Sequence, residues 1–230
     1  MPSSEQLAAA TRIVRWPPGT SEAYIEARNA LLKEEWELQD HVERVAALRR
    51  ALPQGVAMKP YTFTEGPTKE TTLEDLAADG RSVIVYHFMY DPTEPEPCPM
   101  CSLALDSFNA EAPQLTRAVT FVVIAKAPIE RVREWALKRG WKNLRILSSF
   151  GNEFNKDMNL ERPDYAPDVK QLPGMSVFKK DGDVVRHTYT ALPHFDAKTV
   201  RGTDLLGGFW NLLDLTPEGR GNLEATNNVA

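Results

Sequence analysis

The sequence predicts an α/β layer fold, a central mixed sheet flanked by helices, with one long helix ahead of it. Three observations carry this. The runs Val83-Ile84-Val85-Tyr86-His87-Phe88-Met89 and Val119-Thr120-Phe121-Val122-Val123-Ile124-Ala125 are almost continuously apolar, as strands covered on both faces are. Each is followed by a stretch with helical spacing, the order from which parallel strands joined by right-handed crossovers are built. Ahead of both, Ile25, Leu31, Leu32, Trp36, Leu38, Val42, Val45 and Leu48 recur at three- and four-residue steps, the pattern of one apolar helix face.

The elements follow in order. The first helix starts after Pro17-Pro18-Gly19, where Thr20 or Ser21 caps it and Glu22 and Glu26 suit its positive end. Arg49 and Arg50 suit the other end, and Pro53 with Gly55 stops it. About 30 residues make about 45 Å of helix, more than a small globule covers. Its apolar stripe is expected to pack on the main domain, the alternative being a second subunit. Tyr61-Thr62-Phe63-Thr64 alternates as a strand, Gly66-Pro67 turns the chain, and Thr71 to Ala78 suits a short helix broken at Gly80. Ser102 to Leu115 is the next helix, with Leu103, Leu105, Phe108 and Leu115 for packing. Pro128 opens a helix at its first turn that runs through Val132, Trp135 and Leu137 to Gly140. Leu144 to Leu147 is a shorter strand. After a proline-rich connection from Pro163 to Pro173, Met175–Phe178 and Val184–Tyr189 flank Lys180-Asp181-Gly182-Asp183, a hairpin signal that adds an antiparallel edge. A last helix falls around Leu205, Leu206, Phe209, Trp210, Leu212 and Leu213, with Gly207-Gly208 inside it where another backbone could approach. The Asn and Ala residues at the end are expected to fray.

Composition excludes several classes. Of 230 residues, 42% are hydrophobic and 26% charged, ordinary values that rule out collagen-like and largely disordered chains. The net charge of −5 gives no drive toward nucleic acid or anionic lipid. No apolar run approaches the roughly 20 residues that span a bilayer, so neither a nucleic-acid nor a membrane partner is expected. MPSSEQLAAATRIVRWPPG lacks a basic start followed by an apolar core, and a cytoplasmic location is expected.

Cys98 and Cys101 are the two cysteines, too few for a disulfide scaffold. Cys98-Pro99-Met100-Cys101 closes too small a loop to stabilise the fold much, so the pair invites a chemical explanation. It lies at the carboxyl end of an apolar strand, where ligand sites of open α/β sheets gather, and at a helix start, where unpaired N–H groups favour thiolate over thiol. A second sulfur can then release a mixed disulfide. Cys98 is expected to be the exposed nucleophile and Cys101, inside the first turn, the shielded resolving thiol. A C-x-x-C after a strand in a βαβ pattern is a thioredoxin-like redox signal. Zinc is the main competitor, but it normally takes four ligands. There is no second cysteine pair, and His41, His87, His187 and His194 are scattered. Two inert buried cysteines are the plain alternative.

Leu172-Pro173-Gly174-Met175-Ser176-Val177-Phe178-Lys179-Lys180-Asp181-Gly182 resembles the thioredoxin-fold segment in which a cis-proline opens a strand ending in Phe-Lys-x-Gly, with one extra residue before Gly182. The resemblance implies that Pro173 is cis and faces the cysteine pair, and that the backbone of Leu172 pairs with a substrate chain. The alternative is an ordinary trans-proline before an edge strand. Further resemblance runs along nearly the whole chain. Leu31-Leu32-Lys33-Glu34-Glu35, Arg49-Arg50-Ala51-Leu52-Pro53, Val85-Tyr86-His87-Phe88-Met89, Cys98-Pro99-Met100-Cys101-Ser102, Ser148-Ser149-Phe150-Gly151, Phe154-Asn155 and Asp214-Leu215-Thr216-Pro217-Glu218-Gly219-Arg220 look like the domain-of-unknown-function 899 family. That family is classed as thioredoxin-like, a predicted dithiol–disulfide oxidoreductase. The resemblance implies a thioredoxin-like three-layer fold.

Asp91-Pro92-Thr93-Glu94-Pro95-Glu96-Pro97 departs from thioredoxin, which has an aromatic residue and a glycine just before its first cysteine. Asp91, Glu94 and Glu96 would raise the pKa of a nearby thiolate and make the pair more reducing, unless they are solvated and point away. His87 and Met89 share one strand face, and Tyr86, Phe88 and Tyr90 the other. His87 reads as a hydrogen-bonded core residue rather than a base, and nothing places His187 or His194. Trp135, Trp141 and Trp210 read as packing residues.

The expected organisation is an N-terminal extension and long helix to residue 55, a thioredoxin-like domain over 56–200, and a C-terminal helix and tail over 201–230. The expected function is thiol–disulfide exchange by Cys98 and Cys101. Pro99, Met100, Leu172 and Pro173 line the approach of a protein or small-molecule disulfide, no bound cofactor is implied, and a homodimer through the N-terminal helix is an option. The runner-up is a peroxiredoxin-like thiol peroxidase, since Tyr61 to Met89 resembles the entry of peroxiredoxins and a sulfenic acid on Cys98 could condense with Cys101. Against it, Pro95 stands three residues before Cys98, where the peroxiredoxin signature has threonine. A non-catalytic dimeric redox sensor or scaffold is the third reading.

Overall fold

The computed structural model describes residues 16–161, 170–192, 208–217 and 225–227. The chain divides into two units, one ending at Pro53 and one starting at Gln54.

The first unit is dominated by α1, Glu22–Arg50, 29 residues long. Ser21 is its N-cap and accepts the Tyr24 N–H at 3.3 Å. Glu22 in the first turn and Arg49 and Arg50 in the last complement the helix dipole. No residue of α1 is buried, and Leu31, Leu38, Val42 and Leu48 are exposed.

The second unit contains a seven-stranded sheet. Its elements are β1 Thr62–Gly66, β2 Lys69–Thr72, α2 Leu73–Leu76, β3 Val83–Phe88, α3 Pro99–Leu115, β4 Thr120–Ala125, α4 Ile129–Arg139, β5 Ile146–Ser148, α5 Phe154–Asp157, β6 Gly174–Asp181, β7 Val184–Ala191 and α6 Phe209–Leu213. The strand order is β2-β1-β5-β4-β3-β6-β7. β3, β4 and β5 are parallel, and β1, β6 and β7 add antiparallel pairs on either side. The mixed sheet with helices on both faces is the thioredoxin-like three-layer architecture that the sequence predicts.

Two apolar layers clothe the sheet. Tyr86, Phe88, Tyr90, Phe121 and Val123 pack under α3 and α4 with Cys101, Leu105, Phe108, Val132 and Trp135. Val83, Val85, Val122, Ile124 and Phe178 pack on the other face with Leu73, Leu76 and Phe154. The doubly covered β3 and β4 are thus the runs that read as continuously apolar. The polar β2 escapes that signal and takes Thr71 and Thr72 from the helix expected there. Helix α2 is correspondingly short, opened by a capping box between Thr72 and Asp75. Pro128 is the N-cap of α4 rather than part of its first turn, and Gly140 closes it at φ 72°. The β6–β7 turn places Gly182 at φ 61°. Gly208 precedes α6 rather than lying within it. Gly207, Leu205, Leu206, His194 and most of the proline-rich connection lie outside the described residues, as does the side chain of Trp210.

A bulge shapes the second layer. In β6–β7, Val177 pairs with Tyr189 but Phe178 pairs with His187, so Thr188 is extra. That offset turns His187 to the same face as Thr190, three residues on. A hydrogen-bond chain results, buried at its His87 end and part-buried beyond: His87 Nε2 to Ser176 Oγ at 2.8 Å, Ser176 Oγ to Thr190 Oγ1 at 2.8 Å, and His187 Nε2 to Thr190 Oγ1 at 2.7 Å. His87 also stacks on Phe154, with ring centroids 5.6 Å apart. Burial first, then the neighbouring His187, pushes the His87 pKa down to about 3. A histidine held neutral in the fold but free to protonate when unfolded makes the unfolded state bind more protons. Its stability is present above about pH 6.5 and lost as pH falls toward 3. Denaturant titrations between pH 6 and 4.5 should lose up to about 1.4 kcal/mol per pH unit to this one group. His87→Gln should flatten that dependence; an unchanged acid slope in the variant would show that His87 is not the group responsible.

Candidate functional site

The cysteines sit where β3 hands over to α3. Cys98 is the N-cap of α3 and Pro99 its first residue, a position that needs no N–H. The Cys98 N–H donates to the Met89 carbonyl at 3.0 Å, and the Ser102 N–H donates to the Cys98 carbonyl at 3.0 Å. The first bond ties the N-cap to the chain just past β3, and the second starts the helical ladder. Both cysteines are free thiols, Cys98 half-buried and Cys101 buried, and they approach to 3.7 Å. Pro99 and Met100 between them are half-buried. The side chains of Met89 and Met175 pack against the same cluster.

The two sulfurs have opposite electrostatics. The Cys101 thiol donates a hydrogen bond to Cys98, and this is the largest influence bringing the Cys98 pKa down to about 6. Burial works against it. The N–H groups of Cys101 and Met100 add to the lowering; they face the sulfur without closing a short cap bond. The same thiol–thiolate bond, together with burial and the Cys98 charge, holds Cys101 well above its ordinary value. The Tyr86 hydroxyl and the Met89 N–H work the other way.

The loop before Cys98 is clasped from several directions. The Arg131 guanidinium of α4 donates to the carbonyls of Pro92 at 2.6 Å, Glu94, and Pro95 at 3.4 Å, and to the Tyr90 hydroxyl at 3.1 Å. It also lies over the Tyr90 ring, 4.8 Å from its centroid. Lys170 pairs with Glu94 at 2.5 Å and donates to Thr93 at 2.6 Å. Asp91 accepts from Thr93 within its own turn. Glu96 is 3.7 Å from Lys138 and accepts from Asn227 at 3.2 Å. Asn227 also donates to the Pro97 carbonyl at 3.0 Å, and its own carbonyl accepts from Arg139 at 3.1 Å. The carboxylates are therefore engaged by cations and amides, and none is among the groups that shift Cys98. The expectation that they raise its pKa is corrected: Cys98 is lowered. Asn227, expected to fray, is tied to this loop.

Other expectations divide. Among the described residues no peptide bond is cis, so Leu172–Pro173 is trans and Pro173 is not the cis-proline that the resemblance implied. The Leu172 N–H donates to the Leu160 carbonyl at 2.7 Å, so that N–H is not open to a substrate strand. Gly174 pairs with His87, which carries the Leu172–Pro173 segment toward the end of β3 from which the chain runs on to Cys98. His87 and His187 belong to the hydrogen-bond chain under the opposite sheet face. Trp135 and Trp141 are core residues whose ring N–H groups donate to Ser102 at 3.3 Å and Asp106 at 2.8 Å. Sequence reasoning missed Tyr86. The period-two face that it shares with Phe88 and Tyr90 was visible, but not that this face meets Cys101. Arg131 and Asn227 were missed too, because their partners lie far away along the chain.

No group of three or more His, Cys, Asp or Glu side chains able to hold a metal occurs among the described residues, nor is any described helix long and apolar enough to cross a membrane. No curated protein matches the sequence. Among solved structures, the chain is similar to a peroxiredoxin-like protein from Aquifex aeolicus, with 14% identity and a TM-score of 0.48 over 67% of this chain and 88% of that one. It is similar to peroxidoxin BcpB from Mycobacterium tuberculosis, with 12% identity and a TM-score of 0.49 over 67% and 94%. Reduced Prx3 from Vibrio vulnificus, in complex with hydrogen peroxide, gives 18% and 0.45 over 64% and 90%. The profile of one family matches residues 14–229, and the chain belongs to that family, described as bacterial protein of unknown function (DUF899).

Proposed function

We propose that the protein is a thiol–disulfide oxidoreductase working through Cys98 and Cys101. One observation carries the reading: two free thiols lie 3.7 Å apart at the start of α3, Cys98 half-buried at the N-cap and Cys101 buried in the first turn. The partner thiol brings the Cys98 pKa down to about 6, which favours thiolate at neutral pH, and the thiolate is the attacking form. Cys98 Sγ attacks one sulfur of a protein or small-molecule disulfide, forming a mixed disulfide and expelling a thiolate that takes up a proton. Cys101 then loses its proton and attacks Cys98 Sγ. The Cys98–Cys101 disulfide forms, and the second substrate thiol leaves. The substrate is reduced by two electrons and the dithiol is oxidised by two. Pro99 and Met100 flank the reacting sulfur, and the Leu172–Pro173 segment borders the same end of the sheet. An external dithiol in a reducing compartment such as the cytoplasm would return the pair to its starting state.

Alkylation with iodoacetamide at neutral pH should label Cys98 much faster than Cys101, with a rate that rises through a midpoint near 6. Peptide mapping reads this, and label appearing first on Cys101 would overturn the order of attack. Cys101→Ser should trap mixed disulfides on non-reducing gels, whereas Cys98→Ser should trap none; equal trapping by both would contradict the assignment. Insulin reduction and peroxide consumption measured side by side test the activity itself. Disulfide exchange without peroxide turnover is expected, and peroxide turnover without exchange would replace the proposal with a thiol peroxidase.

A further inference from the structure

Cys98 stands between two prolines, which leave its backbone little freedom. The ring of Pro97 fixes that residue's φ. Pro99 confines Cys98 to an extended ψ, and Cys98 is found at φ −57° and ψ 126°. What remains is the tilt of the planar Pro97–Cys98 peptide. Both polar atoms of that peptide are held. Its N–H donates to the Met89 carbonyl at 3.0 Å, and its carbonyl accepts from Asn227 Nδ2 at 3.0 Å. The same nitrogen donates to Glu96 Oε2 at 3.2 Å. A carboxylate and a carbonyl only accept, so the NH2 edge of the Asn227 amide is the edge that fits there. Asn227 is anchored in turn, its main-chain carbonyl accepting from Arg139 Nη1 at 3.1 Å. Arg139 is the last residue of α4, with a side chain 4% exposed, and it pairs with Asp106 of α3. Asp106 also accepts the Trp141 ring N–H at 2.8 Å. The N-cap of α3 is thereby tied, through residue 227, to a later turn of the same helix.

We infer that Asn227 is a positioning residue for Cys98, holding the Pro97 carbonyl so that the peptide plane ahead of the nucleophile keeps the tilt that aims its sulfur at a substrate disulfide. This rests on the exchange reading above and deepens it. A Cβ atom is placed by the N, Cα and C atoms of its own residue, so a change in that tilt swings the Cys98 side chain with it. Attack on a disulfide runs along the line of the sulfur–sulfur bond that breaks, so the direction of the attacking sulfur matters as much as its charge. With its N–H alone held by Met89, the plane can rock about that one bond. A second bond on the opposite edge stops it. Because the prolines on either side restrict the neighbouring rotations, one hydrogen bond from Asn227 is enough to fix the direction of the sulfur. A plane left to rock spends part of its time with the sulfur turned away from the approaching disulfide, and attack slows in proportion.

The test uses the reduced full chain and one equivalent of 5,5′-dithiobis(2-nitrobenzoate), an aromatic disulfide. The Cys98 thiolate attacks one of its sulfurs and expels the first thionitrobenzoate. Cys101 then loses its proton, attacks Cys98 and expels the second. In Asn227→Leu, which keeps the size of the side chain and adds no charge, the first phase should be about fivefold slower, the loss expected for one hydrogen bond. Deletion of residues 227–230 removes the same donor without placing a leucine there and should match it. Glu96→Gln keeps an acceptor for Asn227 and the Pro97 bond, and its first phase should equal that of wild type. Circular dichroism and the denaturant midpoint check that the fold is retained. A first phase equally fast in wild type, Asn227→Leu and the deletion overturns the role of Asn227 and leaves exchange intact. A faster first phase, with Cys101 also labelled faster by iodoacetamide, overturns it in favour of a plain brace whose loss opens the loop. Equal slowing in Glu96→Gln overturns it in favour of the carboxylate. Wild-type protein that releases only one thionitrobenzoate overturns the exchange reading together with this inference.

Discussion

One proton shared between two sulfurs sets the opposite pKa shifts at the head of α3. It makes the half-buried Cys98 acidic and the buried Cys101 resistant to ionisation, though both lie in one turn of one helix. Sharing it requires the sulfurs to be held together against their preference for separate solvation. The hold comes from backbone: the Cys98 N–H on Met89, the Ser102 N–H on Cys98, and a proline at the first helical position that leaves no N–H to satisfy. Below lies mostly apolar packing, with Leu105, Phe108 and Trp135 fixing α3 on the sheet and the Trp135 N–H donating to Ser102. A thiolate in that setting gains from low dielectric only because donors already point at it; without them burial would drive it back to thiol.

The loop from Asp91 to Pro97 shows how misleading a local count of charges is. Its carboxylates stand close to Cys98 along the chain, yet each is answered by Lys170, Lys138, Asn227 or its own turn. The loop's carbonyls, which carry no formal charge and leave no mark in composition, are what bind the Arg131 guanidinium. A cation is therefore seated on the backbone of this loop, although its sequence is acidic and proline-rich.

How far the fold was legible follows from the range of the forces involved. Helix α1, with its Ser21 cap and basic last turn, and the buried strands β3 and β4 are written in contiguous residues, so their positions were readable to within a residue or two. The same holds for the cysteines at a helix start, because a strand, a proline and a helical run stand next to one another. Polar β2 was not readable, since Lys69 and Glu70 gain their strand state from pairing with β1. The geometry at Pro173 was misread because a motif borrowed from a related fold was trusted over the local preference of an X–Pro bond for trans. Tyr86, Arg131, the bulge at Thr188 and the docking of Asn227 depend on contacts that only the folded chain creates. Several segments that resemble the family are structural: Ser148, Ser149 and Asn155 form a buried polar turn after β5, with Ser149 and Asn155 side chains 2.5 Å apart.

Glu96 and Asn227 are 131 positions apart. During synthesis the sheet, α3 and both cysteines emerge long before the residue that braces the loop beside them. Loop closure over such a distance comes late, because its entropy has to be offset by contacts already formed. A nascent chain stalled short of Asn227 would carry the dithiol on a formed helix but with one side of its entrance unbraced. The strand-to-helix junction and the loop that frames it are thus separable in time, the first set early by neighbouring residues and the second completed by a distant one.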